Sequence, residues 1–132
     1  MDGFEILSGR KILLCEDHPI NAQIVKVLLE KQGMIVDTAD NGQIGVDMLE
    51  KSAEAEYCAV LMDINMPVMD GLEAAKAIRA LDRSDAETVP IIAMTSDSSE
   101  KDVKCALDAG MNGFAAKPID PLKLYSCLAE FL

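Results

Sequence analysis

Residues 57–81 read YCAVLMDINMPVMDGLEAAKAIRAL and show how the chain is built. YCAVLM is a continuous apolar run that ends at Asp63, and the loop INMPVMDG follows it. Apolar residues then recur at the spacing of one helix face, at Leu72, Ala75, Ile78 and Leu81. A short apolar run followed by an amphipathic segment predicts a buried strand and a helix that crosses back over the sheet.

The same pattern of a strand followed by a helix occurs on both sides of this unit. The other predicted strands are KILLC (11–15), MIVDTA (34–39), VPIIAM (89–94) and GFAAK (113–117). Helical patterns start at Pro19, near Gln43, within the polar stretch SDSSEKD (96–102) and after Pro118. Because parallel strands need crossover connections, these units predict an α/β fold, a doubly wound five-stranded parallel sheet with helices on both faces.

Length and composition limit the classes of function. The chain has 132 residues, the length of one domain, and we expect residues 1–10 to be an N-terminal extension of a domain over 11–132. A formal net charge of -11 disfavours nucleic acid and anionic membranes as partners. The absence of a signal-peptide pattern and of a long apolar run predicts a cytoplasmic location.

Polar side chains stand at the carboxyl ends of four predicted strands: Glu16 with Asp17, then Asp63, Thr95 and Lys117. These ends meet at one edge of a parallel sheet, where such folds bind ligands. Three neighbouring carboxylates repel one another unless they share a cation, and an all-oxygen ligand set favours Mg²⁺. Together with a lysine and a hydroxyl nearby, these carboxylates predict a site for phosphoryl transfer, in which Asp63 is the nucleophile.

Two other functions use a similar fold or chemistry. A flavodoxin-like module that binds FMN needs a phosphate cradle after the first strand, but Glu16 and Asp17 would repel the phosphate; a colourless purified protein would confirm that exclusion. A haloacid-dehalogenase-like phosphatase also forms an aspartyl phosphate with Mg²⁺. It needs a second acid two residues after the nucleophile, where this chain has Asn65.

Four stretches resemble a known family: ILLCEDHPIN, LMDINMPVMDG, IIAMTS and FAAKP. In this order they resemble the receiver domain of two-component response regulators, over residues 11–132. The EDHPIN and INMPVMDG forms are most similar to receivers attached to hybrid sensor histidine kinases. The resemblance implies the strand order 2-1-3-4-5 and a cis bond between Lys117 and Pro118.

The resemblance also implies a role for each site residue. Asp63 would be the phosphoacceptor. Glu16, Asp17, Asp63 and the backbone carbonyl of Asn65 would hold Mg²⁺, with Glu16 acting partly through water. Lys117 would neutralise the phosphoryl group.

Two further positions would carry the response to phosphorylation. Thr95 would move inward to bond the phosphoryl group, and Phe114, three residues before Lys117, would turn inward with it. That movement would repack the face formed by the fourth helix, fifth strand and fifth helix, through which a homodimer could form.

The implied activity is storage of a phosphoryl group rather than turnover. The donor would be the phosphohistidine of a histidine kinase or a histidine phosphotransfer domain, and autodephosphorylation would be slow. We expect the chain to be a receiver excised from a hybrid histidine kinase rather than a free-standing one.

Overall fold

The computed structural model describes residues 4–95, 100–117 and 119–132, and for 100–102 the backbone only. Its strands are β1 (Lys11–Cys15), β2 (Ile35–Ala39), β3 (Ala59–Asp63), β4 (Ile91–Thr95) and β5 (Gly113–Ala116). Its helices are α1 (Pro19–Glu30), α2 (Gly42–Lys51), α3 (Gly71–Arg79), α4 (Glu100–Asp108) and α5 (Pro121–Phe131). One 3₁₀ turn, Glu5–Leu7, precedes β1.

Within the described residues the strands form one sheet in the order β2-β1-β3-β4-β5, and every neighbouring pair is parallel. The predicted fold class and strand order are therefore confirmed. The strand ends differ slightly from the prediction. Pairing of β3 with β1 begins at Ala59, two residues after the start of the apolar run, and β5 ends at Ala116, one residue before the predicted end.

The core has two layers because side chains alternate between the faces of a strand. On β1, Leu13 and Cys15 face the layer that contains α2 and α3, whereas Ile12 and Leu14 face the layer that contains α1 and α5. β3 and β4 are buried at every position, as expected for central strands covered on both faces.

The segment before β1 packs against the second layer. Leu7 is fully buried there, and the ring of Phe4 lies 5.4 Å from the ring of Tyr125 on α5. The Tyr125 hydroxyl in turn donates to the Leu28 carbonyl on α1, at 2.6 Å. Described residues of the 1–10 segment therefore contribute to the core.

Helix α1 carries apolar residues on two faces. Val25 and Leu29 are buried against the sheet, but Ile20 is 76% exposed and Ile24 is 51% exposed. The helical pattern predicts an apolar face made of Ile20, Ile24, Val27, Leu28 and Leu29, of which only Leu29 is buried, and it omits the buried Val25. The outer face is therefore a surface feature that only the structure reveals.

Two features predicted from the sequence lie outside the described residues. One is residues 96–99 of the stretch SDSSEKD, whereas the fourth helix is described from Glu100, within that stretch. The other is the cis bond before Pro118.

Candidate functional site

The sheet brings the polar residues that follow the strands to one edge. Cys15 pairs with Met62, Asp63 with Met94, and Thr95 with Ala116, so the ends of neighbouring strands are level. Glu16 is held directly after β1 by a hydrogen bond from its backbone N–H to the Ala39 carbonyl, at 3.0 Å. Register and parallel pairing therefore build the cleft that the sequence predicts.

Three carboxylates lie together in this cleft. One oxygen from each of Glu16, Asp17 and Asp63 lies within 4.8 Å of the others. Glu16 and Asp63 are each only 3% exposed, and the Oδ1 atom of Asp17 is buried with no hydrogen-bond partner among the described residues. A buried carboxylate oxygen without a partner is unfavourable, and a hard divalent cation would satisfy it. The donor set therefore fits Mg²⁺.

A single ammonium group joins two of the acids. The Lys117 Nζ atom lies 3.2 Å from Glu16 Oε2 and 3.2 Å from Asp63 Oδ2. Lys117 reaches the cleft because its backbone N–H bonds the Thr95 carbonyl, at 2.9 Å, which continues the pairing of β4 and β5 by one residue. The lysine thus lies at the position where it would contact a group bound to Asp63.

Electrostatics at the site reflect an excess of negative charge. Burial raises the pKa of Glu16, and the nearby Asp63 carboxylate raises it further, whereas the His18 N–H and Lys117 act in the opposite direction. Burial lowers the pKa of Lys117, but the carboxylates of Asp63 and Glu16 more than offset this and raise it overall. The lysine is therefore charged at neutral pH, while the ionised form of Glu16 is disfavoured.

Backbone N–H groups supply two contacts that residue types do not indicate. The Asn65 N–H donates to Asp63 Oδ1 at 3.2 Å, and the His18 N–H donates to Glu16 Oε1 at 3.2 Å. Because any residue other than proline offers this donor, the sequence carries no signal for either contact. Asn65 therefore contributes through its main chain, which is also how the resemblance implies that it would contact a metal.

The turn after Asp63 requires a glycine at its end. The Gly71 N–H donates to the Ile64 carbonyl at 2.8 Å, and a Cβ at Gly71 would collide with the carbonyl oxygen of Asp63. This close approach folds the loop back towards β3 and starts α3 beside the site.

The two predicted switch residues lie next to the cleft rather than in the acidic cluster. Thr95 ends β4 and is buried at 5% exposure. Phe114 on β5 is half-buried and packs against the core layer that contains α2 and α3. Its partner across the sheet is Ala93, two residues before Thr95. The structure therefore brings all seven predicted site residues to one end of the sheet or to the strand beside it.

The comparisons with known proteins agree with this geometry. The family model described as the response regulator receiver domain matches residues 12–129. The chain therefore belongs to the receiver-domain family of two-component systems. This assignment supports the receiver function over the phosphatase and the FMN-binding module.

Two curated relatives illustrate the contexts in which such a domain occurs. The two-component response regulator ORR41 of Oryza sativa subsp. japonica is 40% identical over 92% of this chain and 93% of its own length. Hybrid signal transduction histidine kinase I of Dictyostelium discoideum is 35% identical over 90% of this chain, but the match spans only 7% of that kinase. The chain thus corresponds to nearly all of one relative and to a small part of the other.

One solved receiver domain has a similar fold and contains a metal ion. The receiver domain of the sensor histidine kinase PA1611 from Pseudomonas aeruginosa PAO1 superposes with a TM-score of 0.84 and 35% identity, over 94% of this chain and 98% of that chain. That structure has a magnesium ion coordinated in its active-site cleft.

No helix in the described part of the chain is both long and apolar enough to cross a membrane.

Proposed function

We propose that Asp63 accepts a phosphoryl group from a phosphohistidine, in a reaction that depends on Mg²⁺. One observation carries the proposal: a buried aspartate lies at the end of the central strand, beside a lysine ammonium at 3.2 Å and two further acids, one of which has a buried oxygen with no hydrogen-bond partner in the part of the chain that the structure describes. Glu16 and Asp17 supply those acids. A nucleophile, a fixed positive charge and a cation site thus lie together.

The reaction forms an acyl phosphate. A carboxylate oxygen of Asp63 forms a bond to phosphorus as the phosphorus–nitrogen bond of the donor breaks. The imidazole leaves with the bonding electrons and takes up a proton. The Lys117 ammonium pairs with the phosphoryl oxygens, which carry the transferred negative charge.

The carboxylates of Glu16, Asp17 and Asp63, with the Asn65 carbonyl, would hold the magnesium ion. When bound, it supplies positive charge that offsets repulsion between the acids and the incoming phosphoryl group. Residues of the chain perform the remaining tasks: the Asn65 N–H orients the Asp63 carboxylate, and the His18 N–H orients that of Glu16.

The response to phosphorylation would begin at Thr95. Its hydroxyl and the Lys117 ammonium gain a phosphoryl partner only in the modified state, so phosphate shifts the equilibrium towards the state in which both contact it. Phe114 pairs with Ala93, two β4–β5 pairs before the pair that contains Thr95, and is half-buried. An inward turn of its ring would transmit the change to the face formed by α4, β5 and α5.

The phosphohistidine donor would contact the outer face of α1. Ile20 and Ile24 are exposed there, and a cavity of about 220 Å³ between α1 and the end of β5 is lined by Ile24, Lys117 and Ile119 among others. This apolar surface continues to Lys117, beside Asp63, and therefore suits contact with a protein that must place an imidazole next to Asp63. A cytoplasmic histidine kinase or phosphotransfer domain is the proposed donor.

Incubation with Mg²⁺ and acetyl phosphate, followed by intact mass measurement, tests the function. The wild-type chain should gain one phosphoryl group, and Asp63→Asn should gain none because its amide is not a nucleophile. Asp40→Asn is the matched control, since Asp40 is an exposed acid that follows β2 at the same edge of the sheet. Equal labelling of wild type and Asp63→Asn, or no labelling of either, would contradict the proposal.

The predicted homodimer stays a prediction. An open groove of about 520 Å³ lies on the β5–α5 part of the proposed face, between Phe114 and Phe131. Light scattering should give a larger mass after acetyl phosphate treatment, and an unchanged monomer mass would contradict this expectation.

A further inference from the structure

The loop between β3 and α3 contains a backbone conformation that is rare for its residue type. Val68 has φ 69°, in the left-handed region, and the Met69 N–H donates to the Pro67 carbonyl across it at 2.7 Å. A hydrogen bond between residues two apart around a positive φ defines the classic γ-turn, which is rare and strained. A β-branched side chain makes this conformation still less favourable, because it crowds the backbone.

Contacts on both sides of Val68 hold the strained turn in place. The Met69 carbonyl accepts the Gly42 N–H at 3.2 Å, and a Cβ at Gly42 would lie only 2.5 Å from that carbonyl oxygen. The Asp70 side chain caps α3 by accepting the Glu73 N–H at 2.9 Å. The neighbours of Val68 are thus fixed to α2 and α3, and the turn must accommodate whatever residue stands between them.

The Val68 side chain contributes little to the stability of the domain. Val68 is 82% exposed, the largest exposed fraction among the large apolar residues of the described chain. Its side chain therefore buries little surface within the domain. Glycine or asparagine would adopt the same backbone conformation with less strain. Strain that neighbouring contacts hold in place indicates a functional role, and an exposed apolar side chain at such a position indicates contact with a molecule outside the domain.

The position of the turn indicates which molecule that is. Val68 is five residues after Asp63 in a loop that is tied to the acceptor by the Asn65 N–H, and the loop contacts the start of α2. A protein that brings a phosphohistidine to Asp63 must approach this same end of the sheet. The outer face of α1 belongs to the opposite layer from α2 and α3, so Val68 offers a separate point of contact.

We propose that Val68 is a specificity-determining residue that makes an apolar contact with the protein donor of the phosphoryl group. This inference rests on the proposed function of Asp63. The rigid turn presents the side chain in one orientation, so the contact forms without loss of further backbone freedom. A small phosphodonor such as acetyl phosphate brings no protein surface and would not use the contact.

Parallel labelling with two donors tests the inference. The probes are acetyl phosphate and the autophosphorylated kinase region of PA1611, whose receiver domain is 35% identical to this chain. In Val68→Gly and Val68→Asn, transfer from the kinase should slow about tenfold, as for loss of one good interface contact. Labelling by acetyl phosphate should be unchanged, and the melting temperature should be equal to that of wild type or higher.

Two further variants separate contact from loop structure. Val68→Ile keeps an apolar branched side chain and should retain rapid transfer from the kinase. Ile35→Ala removes an exposed apolar residue at the opposite edge of the sheet and should change neither reaction.

Several outcomes would overturn the inference. One is undiminished transfer from the kinase in both Val68→Gly and Val68→Asn. Another is an equal slowing with both donors, which would assign the turn to the acceptor site itself. A wild type that acetyl phosphate labels and the kinase does not would also overturn it. Failure of the proposed function is distinct, because acetyl phosphate would then label no variant and not the wild type.

Discussion

Charged residues are paired differently at the two ends of the parallel strands. At the edge where the strands begin, Lys11 lies 2.6 Å from Glu56 and 3.3 Å from Asp37, and the Tyr57 hydroxyl donates to Asp37 at 2.7 Å. At the edge where the strands end, one lysine pairs with two buried acids, and a third acid has a buried oxygen that bonds to none of the residues the structure describes. We name them the N-terminal edge and the C-terminal edge.

Their pKa directions differ accordingly. At the N-terminal edge the hydrogen bond with Lys11 lowers the pKa of Glu56, as expected for a carboxylate stabilised in its charged form. At the C-terminal edge burial raises the pKa of Glu16. Paired charges at the N-terminal edge therefore stabilise the fold. The C-terminal edge has an excess of negative charge, which a bound cation would offset.

Arg83 is the strongest element of the N-terminal edge. Its guanidinium donates to four carbonyls at and after the end of α2, those of Leu49, Glu50, Ser52 and Ala53. It also pairs with Asp85. The arginine thereby adds a charged donor to the carbonyls at this helix end, of which those of Leu49 and Ala53 also accept from other groups of the chain, and it joins the loop after α3 to the loop after α2.

The largest expected effect comes from breaking this arginine cap. Arg83→Ala should lower the free energy of unfolding by about 3 kcal/mol, because several charge-assisted hydrogen bonds and the ion pair with Asp85 are lost together. Urea denaturation measures the change. Lys51→Ala, which removes an exposed cation from the last turn of α2, should have little effect. Equal stability of Arg83→Ala and wild type would contradict the role given to the N-terminal edge.

A smaller effect is expected at Tyr57. Tyr57→Phe keeps the buried ring but removes the hydroxyl that donates to Asp37, which should lower the free energy of unfolding by about 1 kcal/mol. Acetyl phosphate labelling should be unaffected, since Tyr57 precedes β3 at the far edge. A fall in labelling without a fall in stability would link the edges in a way that this comparison excludes.

At the C-terminal edge, removing a charge should raise the free energy of unfolding rather than lower it. Because the pKa of Glu16 is raised in the folded state, its ionisation destabilises that state as pH rises above the unfolded value of 4.5. In the absence of metal, Glu16→Gln should therefore raise the free energy of unfolding at neutral pH, by less than about 1 kcal/mol, since Lys117 also loses one partner. Thermal melts in a chelator compare it with Glu30→Gln, an exposed control on α1. A lower melting temperature for Glu16→Gln would refute the charge excess.

The smallest effect is a pH dependence at Asp85. The hydrogen bond from Arg83 holds the pKa of Asp85 below its ordinary value of 3.8. The pair therefore stabilises the fold above pH 3.8, and this contribution is lost as pH falls through the lowered pKa. The difference in the free energy of unfolding between wild type and Asp85→Asn should shrink as the solution is acidified below the lowered pKa of Asp85. A constant difference at all pH values would show that the charge of Asp85 is irrelevant.

The sequence predicts the fold well because buried parallel strands are continuous apolar runs, as the first four residues of β3 are. It also predicts which residues meet in the cleft, since Glu16, Asp63 and Lys117 each stand at a strand end. Residue type indicates their chemistry, and parallel pairing indicates their proximity.

Other features have no signal in the sequence. Arg83 binds backbone carbonyls, which every residue offers, and in sequence it stands in an ordinary polar loop. The positive φ of Val68 contradicts the usual preference of valine, so a rule based on residue type assigns it elsewhere. The outward face of α1 shares its helical spacing with the buried face, and only the orientation of the helix on the sheet separates Ile20 from Val25.

Chemical trapping of the acyl phosphate tests the central claim most directly. After incubation with Mg²⁺ and acetyl phosphate, borohydride reduces an aspartyl phosphate to homoserine, which peptide mass spectrometry can locate. The account predicts homoserine at position 63 in the phosphodonor-treated wild type and at no other acid. Homoserine at Asp17 or another aspartate instead, hydroxynorvaline (the reduction product of a glutamyl phosphate) at Glu16, or an unmodified Asp63 in a protein that has gained phosphate, would contradict it.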